Sequence, residues 1–228
     1  MTSKRYKKLP EKTKDLNAEA IEKLLPEVKK NCTTKFDESL DLSFQINNKQ
    51  KKSEVNIRTV VNLPGGTGKK VKVAVVCEDI KSKEAKEAGA DEVGMDDLAD
   101  KIKSGFLDFE LVIATPSSMK IVGQLGQVLG PKGLMPNPKS GTVTNEVGKA
   151  VADLKAGQVE LRVESNGIVH VSCGKISFDK DHLVENITMI YSTIMKARPA
   201  SVKGQYLEKM SVSSTMGPSI LIDHLAIG

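Results

Sequence analysis

The chain changes texture twice along its length, and that alternation limits the folds open to it. From Leu40 to Ile46, apolar Leu40, Leu42, Phe44 and Ile46 alternate with polar residues, the period of a strand with one buried face. A second strand is predicted over Val55–Leu63, after the polar NNKQKKSE loop. Val71–Cys77 reads VKVAVVC, a nearly continuous apolar run of the kind covered on both faces. Helical stretches around Ser82–Ala88 and Asp96–Ser104 and a strand at Leu111–Ala114 follow, so the middle of the chain predicts a small parallel α/β sheet. Another helix is expected around Met119–Val128, then a loop, then a helix over Val147–Ala156 that ends at Gly157. Alternation then returns. Val159–Glu164 and Ile168–Val171 flank Ser165-Asn166-Gly167, and Asn-Gly between alternating runs signals a hairpin. Asp181–Arg198 carries Leu183, Ile187, Ile190, Tyr191 and Ile194 on one helical face and stops at Pro199, and Ser219–Asp223 supplies a last strand.

Two boundaries follow from these changes. Pro64-Gly65-Gly66-Thr67-Gly68-Lys69-Lys70 reads as a flexible, basic joint, and Gly157 marks the second change. The economical topology is a discontinuous, sandwich-like α+β domain (1–66 and 158–228) with a Rossmann-like three-layer α/β domain (67–157) inserted into it. Near the start, Asn17 is a helix N-cap candidate, with Ile21, Leu24, Leu25 and Val28 at helical spacing behind it. Pro26 interrupts that spacing, which predicts a kink or two short helices.

Charge divides along the same lines. The net charge of +5 suits a polyanionic partner, yet residues 67–157 hold 13 Lys, no Arg and 13 acidic residues, so all of the excess belongs to the discontinuous domain. Cys32, Cys77 and Cys173 are odd in number and far apart, which argues against a disulfide framework or a zinc site and for a reducing compartment. No apolar run reaches the roughly 20 residues that span a bilayer. The opening MTSKRYKKLPEKTK is basic but has no apolar core, so no secretory signal is read there. These features predict a cytoplasmic protein without a membrane partner.

The densest local motif is Gly123–Gly141, GQLGQVLGPKGLMPNPKSG, with five glycines, three prolines, Lys132 and Lys139, and no acid. Glycine opens positive φ and close backbone approach while proline fixes φ, so this composition specifies one loop path. Gly65-Gly66-Thr67-Gly68-Lys69 resembles half a phosphate loop. It precedes its strand, however, and Lys70 stands where Ser or Thr is needed. No GxGxxG follows Val71–Cys77, so no dinucleotide cofactor is expected. His170, His182 and His224 lack metal-ligand spacing, and no set of nucleophile, base and oxyanion donor emerges, so neither metal, cofactor nor catalysis is expected. An α/β enzyme with its site in the Gly/Pro loop would need such a set. Two small constellations remain: Thr33–Ser39 (TTKFDES) and Ser213–Pro218 (SSTMGP). Each places one Phe or Met among hydroxyls, a composition that can pack on a base or ribose while bonding 2′-OH and phosphate; the bland alternative is a core Phe and an ordinary turn.

At these residues the chain resembles the ribosomal protein L-one family of the bacterial type, from the mobile stalk of the large subunit. GQLGQVLGPKGLMPNPKSGTV, TKFDESLDL, STMGPS, NLPGGTGK, SNGIVHVSCGKISF and KARPASVKGQY are similar to family segments in the family's order. The resemblance implies a split domain carrying an inserted one and binding to a stalk element of large-subunit rRNA. It also implies motion during release of tRNA from the exit site, and repression of the protein's own operon mRNA. That last role leaves open a regulator acting chiefly off the ribosome. By position it implies RNA contacts at Lys35, Phe36, Glu38, Ser39, Thr215, Met216 and Gly217. Arg162 and His170 on the neighbouring hairpin are added, and Lys132 and Lys139 as auxiliary loop residues. A protein monomeric when free, in a bacterial cytoplasm, completes the expectation.

Overall fold

The computed structural model describes residues 21–47, 58–164, 166–199, 202 and 204–223. In chain order the elements begin with helix α1 (Ile21–Asn31) and strands β1 (Ser39–Ile46) and β2 (Arg58–Asn62). Next come β3 (Val73–Val76), α2 (Asp79–Glu87), β4 (Glu92–Gly94), α3 (Asp96–Lys103) and β5 (Leu111–Ala114). The short helices α4 (Met119–Gln124) and α5 (Gly126–Leu129) precede α6 (Val147–Ala156). The chain continues with β6 (Gln158–Arg162), β7 (Ile168–Lys175), α7 (Lys180–Lys196), β8 (Leu207–Ser214) and β9 (Ile220–Ile222). The chain divides into two compact units, Met1–Gly68 with Val159–Gly228 (unit 1) and Lys69–Gln158 (unit 2).

Unit 1 is built on a four-stranded sheet of order β7-β1-β8-β9, in which each neighbouring pair is antiparallel. The alternation read in β1 becomes a face: Leu40, Leu42, Phe44 and Ile46 are buried against Leu24, Leu25 and Val28 of α1 and Leu183, Ile187 and Ile190 of α7. The opposite face of β1 carries Ser39, Asp41, Ser43 and Gln45, as expected of an antiparallel sheet covered on one side. Pro26 does not divide α1, which runs unbroken through it. The buried stripe Ile21–Val28 holds the helix on the core while Pro26 and Glu22 are exposed, so water can satisfy the carbonyl that Pro26 leaves without a donor. The Asn17 cap and Val55–Ile57 lie outside the described residues.

The Asn-Gly turn forms, with Gly167 at φ 78° and its N–H donating to Glu164 O at 2.9 Å. Its two arms nevertheless separate after one bridge, Val163 with Val169: β6 pairs with β2, and β7 pairs with β1. Near its far end β7 bulges. Leu40 faces Gly174 and Asp41 faces Ser172, which leaves Cys173 unmatched. The freed Cys173 carbonyl accepts a 2.8 Å bond from Asn186 Nδ2, the fully buried amide on the core face of α7. The same amide donates to Gly66 O at 3.1 Å, and its Oδ1 accepts from Gly65 N–H at 3.0 Å. The joint expected to be flexible is thus fastened at its first half. Cys173 itself is buried, its thiol donating to Leu40 O at 3.2 Å, and desolvation pushes it up to about 12.

Unit 2 has a parallel sheet of order β4-β3-β5, extended by a parallel bridge from Ala114 to Val143. Val73 and Val75 pack with Ala85 of α2 and Val147, Val151 and Leu154 of α6. Ala74 and Val76 pack on the other side with Leu98 and Ile102 of α3 and with Val122 and Leu129. Helices therefore cover both faces, the layering that a continuous apolar strand requires. Gly157 closes α6 at φ 112°, a left-handed cap open to glycine. The Gly/Pro run is not all loop: Gly123–Leu129 lies in α4 and α5 and the junction between them.

Candidate RNA-binding site

Seven of the predicted contact residues meet at one end of the unit 1 sheet. β1 and β8 are adjacent and antiparallel, and Leu40 pairs with Ser214. The segment before β1 therefore lies beside the turn after β8. Ser39 N–H donates to Thr215 Oγ1 at 2.9 Å, and Thr215 N–H returns a bond to Ser39 O at 3.1 Å. The pairing thus continues one residue beyond the end of β8, joining segments 176 residues apart in sequence.

Glu38 is the centre of this end. It is 2% exposed, and a carboxylate so placed needs hydrogen bonds. Its Oε1 accepts from Thr34 Oγ1 at 2.7 Å, and its Oε2 accepts from Met216 N–H at 3.0 Å. The carboxylate therefore holds the tip of the SSTMGP turn against the TKFDES segment. Gly217 is favoured by space rather than by φ, because a Cβ there would press on Ser214 Oγ and oblige that hydroxyl to turn. Around the latch stand Lys175, whose Nζ donates to Ser39 Oγ at 3.0 Å, and Asp37, whose carboxylate accepts from Ser177 N–H and Oγ at 3.2 and 2.8 Å.

The surface above this frame carries Phe36, 55% exposed, and Met216, 49% exposed, with exposed Lys35 between Thr34 and Phe36. Two large apolar side chains left in water beside a lysine and several hydroxyls are not core, and they make this end of the sheet a candidate binding surface. Arg162 and His170 are elsewhere. They flank the Val163–Val169 bridge on its exposed side, and His170 Nδ1 lies 2.9 Å from Ser43 Oγ. Ser43 is four residues along β1 from Ser39, about 13 Å at strand rise. Lys132 and Lys139 are exposed in unit 2.

Sequence reading missed Lys175, Asn186 and Ser214. Lys175 and Ser214 stood inside motifs already noticed, and Asn186 announced itself only as an amide on the apolar stripe of α7. Among the described residues no three His, Cys, Asp or Glu side chains gather as metal ligands, and no described helix is long and apolar enough to cross a membrane.

A one-sided sheet whose end is framed by a buried carboxylate and topped by exposed Phe, Met and Lys is a candidate binding surface. The chain belongs to the ribosomal protein L1p/L10e family, whose model matches residues 28–218. It is 60% identical over 220 residues to large ribosomal subunit protein uL1 of Pelagibacter ubique, covering 96% of both chains. It is 49% identical to the uL1 protein of Thermosipho melanesiensis (97% of this chain, 96% of the relative). The uL1 protein of Nitrosomonas eutropha is 48% identical to it (99% and 98%). The family is one of ribosomal proteins, non-enzymatic components of translation.

Proposed function

We propose that this protein is a constituent of the large ribosomal subunit in a bacterial cytoplasm, and that it grips the stalk region of large-subunit rRNA with the end of the unit 1 sheet. Its near-full-length likeness to uL1 proteins supports the subunit. The single observation that carries the site is the pair of exposed apolar side chains, Phe36 and Met216, set beside a fully buried Glu38. Phe36 and Met216 pack on base or ribose faces, Lys35 neutralises phosphate, and the hydroxyls of Ser39 and Thr215 bond sugar and phosphate oxygens. Gly217 lets the RNA backbone approach. Glu38 acts as a positioning residue, since its oxygens already serve Thr34 and Met216. Arg162 and His170 extend the contact along the sheet.

In this reading residues 1–66 with 158–228 form the rRNA-binding domain and 67–157 an inserted α/β domain, with all of the net charge of +5 on the former. An operon mRNA presenting the same RNA element would occupy the same surface and be repressed. Motion of the stalk with the protein bound would accompany departure of tRNA from the exit site. The test is removal of residues 67–157, with a short linker, and titration against a stalk rRNA fragment. Affinity within about tenfold of the full chain, on the order of 1.4 kcal/mol, is the expected outcome. Complete loss of binding by a folded deletion variant would overturn the assignment to the split domain.

A further inference from the structure

The neutrality of unit 2 conceals an uneven surface. Its 13 lysines and 13 acidic residues cancel, yet residues 111–145 contain Lys120, Lys132 and Lys139 and no acid at all. All three are exposed. Four of the unit's other lysines are matched to carboxylates: Lys72 to Asp108 at 2.6 Å, Lys101 to Glu92 at 3.7 Å, Lys103 to Asp100 at 3.2 Å and Lys155 to Asp91 at 3.2 Å. Among the described residues the ammonium groups of Lys120, Lys132 and Lys139 have no such partner.

The fold brings the two ends of this stretch together. It leaves the sheet at Ala114, the carboxyl end of β5, and returns at Val143, which bridges the same Ala114. The departing turn is pinned by Ser118 Oγ, which donates to Val76 O at 2.7 Å. The returning loop is closed by Thr142 Oγ1, which accepts from Asn137 N–H at 2.8 Å. From β3 the chain proceeds through α2 to β4 on one side, then crosses to β5 on the other. Ligands of open α/β sheets bind outside the carboxyl ends at such a reversal. Asp96 and Asp97 start α3 after β4, at the opposite edge of the sheet from Val143, although α3 itself packs through Leu98 and Ile102 on Val122 of α4 and Leu129 of α5. Glu78 and Glu146 adjoin α2 and α6, on the face where Lys81 Nζ donates to Asn145 O at 3.0 Å.

The same stretch exposes backbone. Gly123 lies in α4 and Gly126 in α5, neither at positive φ, and a Cβ added at either would meet nothing within 4 Å. Glycine weakens a helix relative to alanine, and the chain's own packing does not require it at these two positions. Exposed Gln124 and Gln127 stand beside them.

We propose that this surface of unit 2 takes a second stretch of RNA backbone, separate from the contact at the end of the unit 1 sheet. Lysines are point charges suited to phosphates. Bare helix backbone admits a sugar closely, and the glutamine amides can bond a 2′-OH. The choice of RNA among polyanions rests on the ribosomal reading above.

The test uses the full chain and a mixed-sequence single-stranded RNA, with poly-glutamate as the competing polyanion. Affinity is measured against salt for the wild type, Met216→Asp, the triple variant Lys120→Gln/Lys132→Gln/Lys139→Gln, and both together. The triple variant should lower the slope of log affinity on log salt by about 2, three phosphates at about 0.7 each. The decrement should be the same with or without Met216→Asp, so a failure of the unit 1 site is read separately. An unchanged slope overturns the proposal. So does poly-glutamate binding that the triple substitution abolishes while RNA binding persists. Gly123→Ala/Gly126→Ala should raise Tm by a few degrees and weaken RNA binding several-fold. Raised Tm with unaltered RNA affinity would overturn the close approach of backbone.

Discussion

The end of the unit 1 sheet and the Asn137–Thr142 loop of unit 2 are both held by one polar side chain, but over very different spans. Glu38 receives an N–H from Met216, 178 residues away, whereas Thr142 receives one from Asn137, five residues away. The first arrangement exists only when β1 and β8 are already paired, and the second needs little beyond its own turn. A long-range latch makes binding geometry depend on the whole unit. A local one makes a sequence motif that can be recognised without knowing the fold.

Glu38→Leu should separate the two most sharply. It removes the carboxylate acceptor from Met216 N–H and leaves Thr34 Oγ1 only its bond to Phe36 O, at a cost of about 2–3 kcal/mol in unit 1 together with loss of binding to a stalk rRNA fragment. Denaturant midpoints read the first and titration the second, and a loss below about 1 kcal/mol would remove the latch from the account. Met216→Asp comes next. Its side chain is exposed, so stability should move by less than about 0.5 kcal/mol while RNA affinity falls about 30-fold, or about 2 kcal/mol. Unchanged affinity would take the turn out of the site. Thr142→Val, the local counterpart, leaves Asn137 N–H unpaired and should cost about 1–2 kcal/mol in unit 2, with no effect on the stability of unit 1.

The smallest effect concerns acid. Asp91 accepts from Val73 N–H at 3.0 Å and lies 3.2 Å from Lys155 Nζ, and these hold its carboxyl below the usual carboxylate range, the backbone bond foremost. A depressed value in the folded state contributes stability that is full above about pH 4 and fades as pH falls through the folded value. Asp91→Asn should therefore flatten the acid limb of unit 2 unfolding while leaving unit 1 unchanged. An identical acid limb in wild type and variant would show that the bond carries no linkage.

How much of this could be read in advance depended on the range of the interactions. The faces of β1, the buried β3 and the cap at Gly157 were legible because periodicity and glycine chemistry act within a few residues. Of the two outcomes expected at Pro26, division into two short helices does not occur, because its local penalty is outweighed by the buried stripe of α1, which no propensity contains. The hairpin arms diverged because β7 finds β1 and β6 finds β2, choices made outside the turn. At the candidate site, Lys35, Phe36, Thr215 and Met216 could be listed from composition and resemblance. That Glu38 lies beneath them, with both oxygens occupied, became visible only once two distant strands were side by side. Asn186 was less legible still, because its partners are backbone groups of a joint and of a bulge.

The Glu38–Met216 bond also sets an order of events during synthesis. The TKFDES segment emerges early, and its carboxylate must wait, hydrated and without its N–H partner, until the turn after β8 has left the ribosome and β8 has entered the sheet. A nascent or truncated chain that stops anywhere between them carries half of a surface and none of its geometry. On the function proposed above, competence to hold RNA arrives only once β8 has entered the sheet.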